Sequence, residues 1–499
     1  QHLVLPAEGW AGIAQGPLGM RGVVPHDGYL IATARPGGVP VRISLSTEGT
    51  PLGEATVGPV GKGGFARYRF RLPALPRTTQ VEISITARGP GQLWLGAVSL
   101  MPADNVYGWR REVIETVRSV RPPMIRWPGG NFASQYDWRD GLGDRDRRPP
   151  RWNRAWNHWE WNDVGTDEFL QLCELLGAEP YICANAGEDS AREAAEWVEY
   201  CNGPADSPMG RLRAAGGHPE PYGVRFWGLG NEMYGSWQHG YLDATRYGIK
   251  ALEMARAMRA VDGALTLVLV GVEGSGWGEW NRKVTALAGR VSDYLSVHHY
   301  TGLDVNADAL AEYSRAIAAP VNVERTLQET WEIARRANGG LPIPLCFDEW
   351  NIARQERDDL PGHKGFYSLR EGLFAAEIFN ALNRLGPRAP VACVTQTVNV
   401  LGLIRANDTA VAPSPSYWVL KLFRDEAGRV GVPVEYAGPT VDLPGGLRTG
   451  VLDASATYDP DTGKLAVFIV NRSAACAREV TVRFSGTTIG SPRTACILA

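Results

Sequence analysis

With 499 residues and 44% hydrophobic composition, the chain can bury a barrel-sized core together with one or two smaller domains. A formal charge of -3 without a basic tract gives no electrostatic support to a nucleic-acid or anionic-membrane partner, so the substrate is expected to be uncharged. Seven Cys without a C-x-x-C pair argue against a disulfide framework and leave Cys476 and Cys496 as the one pair placed to bridge; no signal-peptide-like or membrane-spanning run is read, although the chain begins with Gln, which suggests removal of a segment upstream.

Residues 1–103 read as β structure. Alternating runs at Tyr29 to Ala34, Val41 to Leu45, Ala66 to Leu72, Val81 to Thr86 and Leu93 to Leu100 are separated by Gly- and Pro-rich turns and make a five-stranded sandwich. From Trp109 helical patterns alternate with short apolar runs, which implies parallel βαβ units over 104–411. The strands are Met124 to Trp127, Pro180 to Asn185, Val224 to Gly230, Leu265 to Gly271, Tyr294 to Tyr300, Ile343 to Trp350 and Val391 to Val398. Helices are predicted at Thr166 to Leu176, Ala191 to Tyr200, Leu242 to Val261, Asn306 to Arg336 and Ser368 to Leu385. Seven strands are one short of a (β/α)8 TIM barrel, so the first is sought in residues 1–25 or upstream of Gln1. Beyond about Ala412 the helices are expected to stop, and Val432 to Tyr436, Gly450 to Tyr458, Leu465 to Asn471 and Glu479 to Phe484 form a C-terminal β-sandwich over 412–499.

Reactive groups in a barrel gather at the C-terminal strand ends. The apolar strand ending Gly230-Asn231-Glu232 delivers one carboxylate there, and Phe347-Asp348-Glu349-Trp350 delivers a second. The 117 residues between Glu232 and Glu349 (349 minus 232) span about three βα units, which suits strands four and seven facing each other across the mouth. Either Glu alone reads as a surface residue. Together, on separate strands, they are the minimal equipment of a glycoside hydrolase. Arg126, in an apolar run before Pro128-Gly129-Gly130-Asn131, needs carboxylate partners, and an ordinary buried ion pair is the competing reading. His298, His299, Tyr300, Gln396 and Asn399 add polar groups at other strand ends. Adjacent His298 and His299 also invite a metal site. Neighbours on a strand point to opposite faces, however, so neither a metal nor a cofactor is expected, and His298 is read as orienting a catalytic carboxylate. Trp152, Trp156, Trp159 and Trp161 fall in a loop and suggest walls of sugar subsites.

These residues resemble the α-L-arabinofuranosidases of glycoside hydrolase family 51. The resemblance is carried by Arg126-Trp127-Pro128-Gly129-Gly130-Asn131-Phe132, Trp138-Arg139-Asp140-Gly141, Gly230-Asn231-Glu232-Met233, His298-His299-Tyr300, Asp348-Glu349-Trp350-Asn351 and Gln396-Thr397-Val398-Asn399. It implies a retaining hydrolase with Glu232 as acid/base and Glu349 as nucleophile. It further implies that Arg126, Asn131, Asn231, Tyr300, Gln396 and Trp156 line the furanose subsite, and that residues 1–103 are a carbohydrate-binding-like module. Members open the barrel with a strand bearing a Phe-x-Glu-type motif that has no match here. That strand is expected upstream of Gln1, lost or held on a separate N-terminal fragment that completes the barrel. The partner is then a carbohydrate, with homo-oligomerisation left open. Two other readings stand beside the arabinofuranosidase: a β-1,4-glucanase of the same family, and a non-catalytic carbohydrate-binding protein.

Overall fold

The computed structural model describes residues 1–303, 308–354, 367–486, 490 and 495–498. The chain forms two compact units, 1–117 with 404–412, and 118–403 with 413–499.

In the first unit, eight strands rather than five form two four-stranded antiparallel sheets. The additional strands are His2–Leu5, Ala11–Met20 and Thr50–Val60. The last two are edge strands rich in Gly and other small residues, and they leave most side chains exposed, so they lack the apolar alternation that marks a half-buried strand. Leu30, Ile43, Leu45, Val81, Ile85 and Leu93 fill the space between the sheets.

Among the described residues, the second unit is built on seven parallel strands that neighbour one another in chain order: Met124–Trp127, Glu179–Cys183, Phe226–Gly228, Thr266–Val270, Tyr294–Leu303, Leu345–Arg354 and Val391–Val394. Cα atoms of the two outermost strands approach within 8 Å, so the sheet curls into a nearly closed barrel. All seven expected strands are present, with ends shifted by a few residues. Helices Thr166–Leu176, Ala191–Asn202, Ala244–Val261, Ala309–Ala337 and Leu369–Leu385 cover the outside; the expected start of the fourth, at Asn306, lies outside the described residues. Their starts carry ordinary capping chemistry: Ser190 and Ser368 each pair with a Glu three residues on, and Asp243 accepts from Thr245 and Arg246. Trp197, Trp227, Met254, Leu295 and Phe347 belong to the core between sheet and helices. Inside the barrel Tyr181, Val268 and Cys346 form an apolar plug beneath the polar strand ends.

The expectation that helices cease after Ala412 is wrong. Pro415–Glu426 is a helix with Ser414 as N-cap and Pro415 in the first turn, start signals that were present in the sequence. A three-stranded sheet, Val430–Val432, Leu452–Asp459 and Lys464–Asn471, and the hairpin Thr440–Leu443 with Leu447–Gly450 follow. The strand expected at Glu479 to Phe484 does not form; Val480, Val482 and Phe484 stay exposed, with no core face to bury them. All seven cysteines are free, including the exposed Cys476 and Cys496. Among the described residues, no helix is long and apolar enough to cross a membrane.

Candidate active site

Glu232 follows the strand Phe226–Gly228 through a tight backbone turn. Gly230 has φ +104°, and a side chain there would put its Cβ 2.5 Å from the Ala186 Cβ. Glu232 itself takes φ 42°, a conformation that L residues adopt at a cost on the order of 1–3 kcal/mol. Trp237, five residues on, folds back so that its indole Nε1 donates to Glu232 Oε2 at 2.6 Å, and Tyr234 Oη donates to Oε1 at 3.4 Å. His298 Nδ1 stands 2.9 Å from the same Oε1.

Glu349 arrives on the strand Leu345–Arg354. A register shift between Ser296 and His298 brings His298 opposite Glu349 on the neighbouring strand. Glu349 Oε1 accepts from Arg126 Nη1 at 2.6 Å and lies 3.4 Å from the Gly130 N–H, while Oε2 accepts from Tyr300 Oη at 2.8 Å. Gly129 leaves room for this approach, since a Cβ there would stand 3.0 Å from Arg126 Nη1.

Arg126 is the hub. Its side chain is buried, and it also donates through Nη2 to Asn231 Oδ1 at 2.7 Å and places Nε 3.4 Å from Asp348 Oδ2. Asp348 is fully buried and accepts from Tyr181 Oη at 2.8 Å and Ser296 Oγ at 2.6 Å. Burial alone would raise the Asp348 carboxyl, but the Arg126 and His298 charges and the Ser296 hydroxyl outweigh it and hold the group at about 2. Burial likewise opposes charge on His298. The surrounding Glu349, Asp348 and Glu232 carboxylates nevertheless lift its imidazole to about 10. Glu232 is pushed up by burial but pulled further down by the His298 and Trp237 hydrogen bonds and by the charges of His298 and Arg126; the net direction is below the ordinary carboxylate value. Burial and the Glu349 charge raise the Tyr300 phenol, which therefore remains a donor.

The remaining candidates are placed less centrally. Asn131 accepts from the His239 N–H at 2.8 Å and donates to the Trp237 carbonyl, so its side chain braces the loop after Glu232. Asn231 donates to Gln238 Oε1 at 3.2 Å. Gln396 lies two residues past the strand Val391–Val394 and is exposed. Trp156 is exposed at the turn of a hairpin, where a loop was expected. His299 points away from His298 and pairs with Glu273 at 2.8 Å. Among the described residues, Glu232, His298 and Glu349 are the group close enough to hold a cation, with one ligand atom of each within 4.8 Å of the others. Arg126 already supplies positive charge at Glu349. Sequence reasoning missed Trp237, Gln238, Tyr181 and Ser296.

Two family models match the chain: an alpha-L-arabinofuranosidase 1 domain over residues 116–318 and an alpha-L-arabinofuranosidase C-terminal domain over 348–499. Alpha-L-arabinofuranosidase C of Emericella nidulans is 35% identical over 398 residues, 74% of this chain and 77% of that protein. An intracellular exo-alpha-(1->5)-L-arabinofuranosidase of Halalkalibacterium halodurans is 30% identical over 389 residues, 74% of this chain and 77% of that protein. Among solved structures, the Thermotoga maritima alpha-L-arabinofuranosidase in complex with arabinose aligns at a TM-score of 0.63 with 34% identity, covering 73% of this chain and 76% of that one. A family 51 alpha-L-arabinofuranosidase from Bifidobacterium longum aligns at 0.70 with 26% identity, covering 75% and 78%. On this similarity, spread over the strands that carry Arg126, Glu232, His298 and Glu349, the chain belongs to the α-L-arabinofuranosidases of glycoside hydrolase family 51.

Proposed function

We propose that the protein releases terminal α-L-arabinofuranosyl residues from arabinose-containing oligo- or polysaccharides, arabinan and arabinoxylan among them, by double displacement, with Glu349 as nucleophile and Glu232 as acid/base. One observation carries this reading: a carboxylate oxygen of Glu232 lies within 4.8 Å of one of Glu349. That supports a retaining pair, whose carboxyl groups stand about 5–5.5 Å apart, over an inverting pair at roughly 6.5–9.5 Å.

The partners divide the roles. Glu349 receives Arg126, Tyr300 and the Gly130 N–H, donors that fix its oxygens for attack on the anomeric carbon. Glu232 must deliver a proton to the leaving oxygen, a task that ordinarily calls for a raised pKa. Its pKa is instead lowered, because His298 sits against it. The mobile proton is therefore held by the pair: His298 carries it at rest, and Glu232 passes it on as the leaving oxygen develops charge. In the second step Glu232 takes a proton from water, and the hydroxide equivalent displaces Glu349 from the glycosyl ester. Arg126, Asn131, Asn231, Tyr300, Gln396 and Trp156 are proposed to surround the furanose, with residues 1–103 and 412–499 as flanking β modules.

The test is a transfer reaction. With an aryl α-L-arabinofuranoside and methanol as acceptor, proton NMR of the first product should show methyl α-L-arabinofuranoside. The β anomer would overturn the retaining assignment. Turnover of soluble cellulose with none of the arabinofuranoside would favour the glucanase reading instead.

A further inference from the structure

Residues 151–160 form a hairpin in which Arg151–Asn153 pairs with His158–Glu160 and Trp152 stands opposite Trp159. Side chains alternate along a strand, so Trp152 and Trp159 share one face and Trp161, two residues on, extends it. Asn153 is buried on the opposite side. The three indoles are 47%, 52% and 61% exposed. The Trp152 and Trp159 rings meet edge to face with centroids 5.4 Å apart, and Trp161 lies 6.5 Å from Trp159. Mutual packing of one pair would be enough to hold a short hairpin. It does not account for a third indole more than half in water, and contiguous apolar surface of this kind marks an interaction site.

The position of the hairpin says what covers it. Arg154 at its turn donates to Glu188 at 3.3 Å, the same carboxylate lies 2.6 Å from His239 Nε2, and the His239 N–H is held by Asn131. The turn is thereby tied to the loop that follows Glu232. A groove of about 270 Å³, walled by Asn131, Arg154, Ala155, Trp237 and Tyr241, runs between them. A general acid stands on the leaving-group side of the scissile bond, so with Glu232 in that role the rest of the substrate leaves over Trp237 and this groove, toward the hairpin. The charges beside the aromatic face are already engaged: Arg151 is paired with Asp140 at 2.6 Å, and Glu160 accepts from the Asn162 N–H. What remains is an uncharged row of rings suited to the C–H faces of sugars.

We propose that the Trp152, Trp159 and Trp161 face is a distal platform for the uncharged polysaccharide backbone from which arabinofuranose is removed, lying beyond the groove at the cleaved bond. The inference rests on the reading of Glu232 as the acid of an arabinofuranosidase, and the test separates the two. Trp159→Ala and Trp161→Ala are assayed on an aryl α-L-arabinofuranoside and on arabinose-substituted xylan. The expected result is an unchanged kcat/KM on the aryl substrate and a KM for the polymer raised about tenfold in the double variant, at constant kcat. Trp159→Tyr, which keeps a ring, should recover most of the loss. Equal kinetics of variant and wild type on polymer would overturn the platform, as would an equal fall on both substrates, which would mark the hairpin as purely structural. A self-associated wild type that becomes monomeric in the double variant, with polymer kinetics intact, would assign the face to a second copy and also overturn it. Failure of the underlying function reads differently: the wild type itself would not cleave the aryl arabinofuranoside.

Discussion

His298 Nδ1 lies 2.9 Å from Glu232 Oε1 while Nε2 faces Asp348 Oδ1 at 3.4 Å. The imidazole is thus held between Glu232 and a second carboxylate, Asp348, which is itself fixed by Arg126, Tyr181 and Ser296. Such an arrangement keeps a proton beside Glu232 over a wide pH range. The His298 pKa is raised to about 10, so the pair retains its proton as pH rises and loses it only near that value. In His298→Gln the proton can reside only on Glu232, a carboxylic acid, whose ordinary range lies below that of the raised imidazole. The alkaline limb of kcat/KM should therefore move to lower pH by about two units or more. A pH profile on an aryl arabinofuranoside checks this, and an unmoved limb would show that His298 has no part in proton delivery.

Glu349→Ala should abolish turnover of every arylglycoside, since it removes the carboxylate on which Arg126 and Tyr300 converge. Glu232→Ala should lower kcat/KM by roughly 10²- to 10⁴-fold for poor leaving groups and leave it nearly intact for strongly activated ones, which need little protonation. Measuring both variants across a series of leaving-group pKa values distinguishes the roles. The same loss for both variants on all substrates contradicts the assignment.

Tyr300→Phe removes the hydroxyl that donates to Glu349 Oε2 at 2.8 Å and little else. A hydrogen bond to a charged group is worth about 1.5–3 kcal/mol, so kcat/KM should fall about 10- to 100-fold. Thermal stability should hardly change, which separates positioning of Glu349 from packing. A fall confined to polymeric substrates would instead place Tyr300 outside the first sugar subsite.

The strand ends that carry Glu232, Glu349 and Arg126 were legible because an apolar run followed by a polar group and a glycine turn is a local pattern. The pairing of the carboxylates followed from their spacing. Trp237 was not legible: its contact with Glu232 depends on a reverse turn through Gly235 and on the brace from Asn131, neither of which has periodicity. Tyr181 and Ser296 left a fainter signal. Each is a polar residue in an apolar strand, and Ser296 stands two positions before His298, hence on the same face. The sandwich was undercounted where edge strands bury little. The helix Pro415–Glu426 was overlooked despite its N-cap Ser414 and Pro415, because neighbouring strand-like runs set the expectation for the whole segment.

The C-terminal sheet is joined to the barrel helix Leu369–Leu385 by a buried ion pair. Arg472, just after the strand Lys464–Asn471, donates from Nε and Nη2 to Glu377 Oε2 at 2.9 and 2.7 Å, and lies 3.3 Å from Asp453. Glu377 is fully buried, and burial lifts its carboxyl to about 8 against the pull of Arg472. A raised carboxyl pKa means that the folded state binds more protons than the unfolded one between the ordinary value and 8, so this group's contribution to stability declines as pH rises through that window. Arg472→Met takes the cation from Glu377 and Asp453 and should destabilise the fold, with the loss reaching about 3–5 kcal/mol above pH 8, where the wild-type carboxyl is ionised and paired. The same change raises the Glu377 pKa further, so the decline continues above pH 8 in the variant after it has ended in the wild type, and the gap between them widens there. Adding Glu377→Leu removes the orphaned carboxyl and should restore most of the loss, since a well-packed apolar pair often matches a buried ion pair. Urea unfolding of the three proteins at pH 6 and pH 9 decides the matter: a single variant within about 1 kcal/mol of wild type at both values would mean that the sheet is held by packing alone.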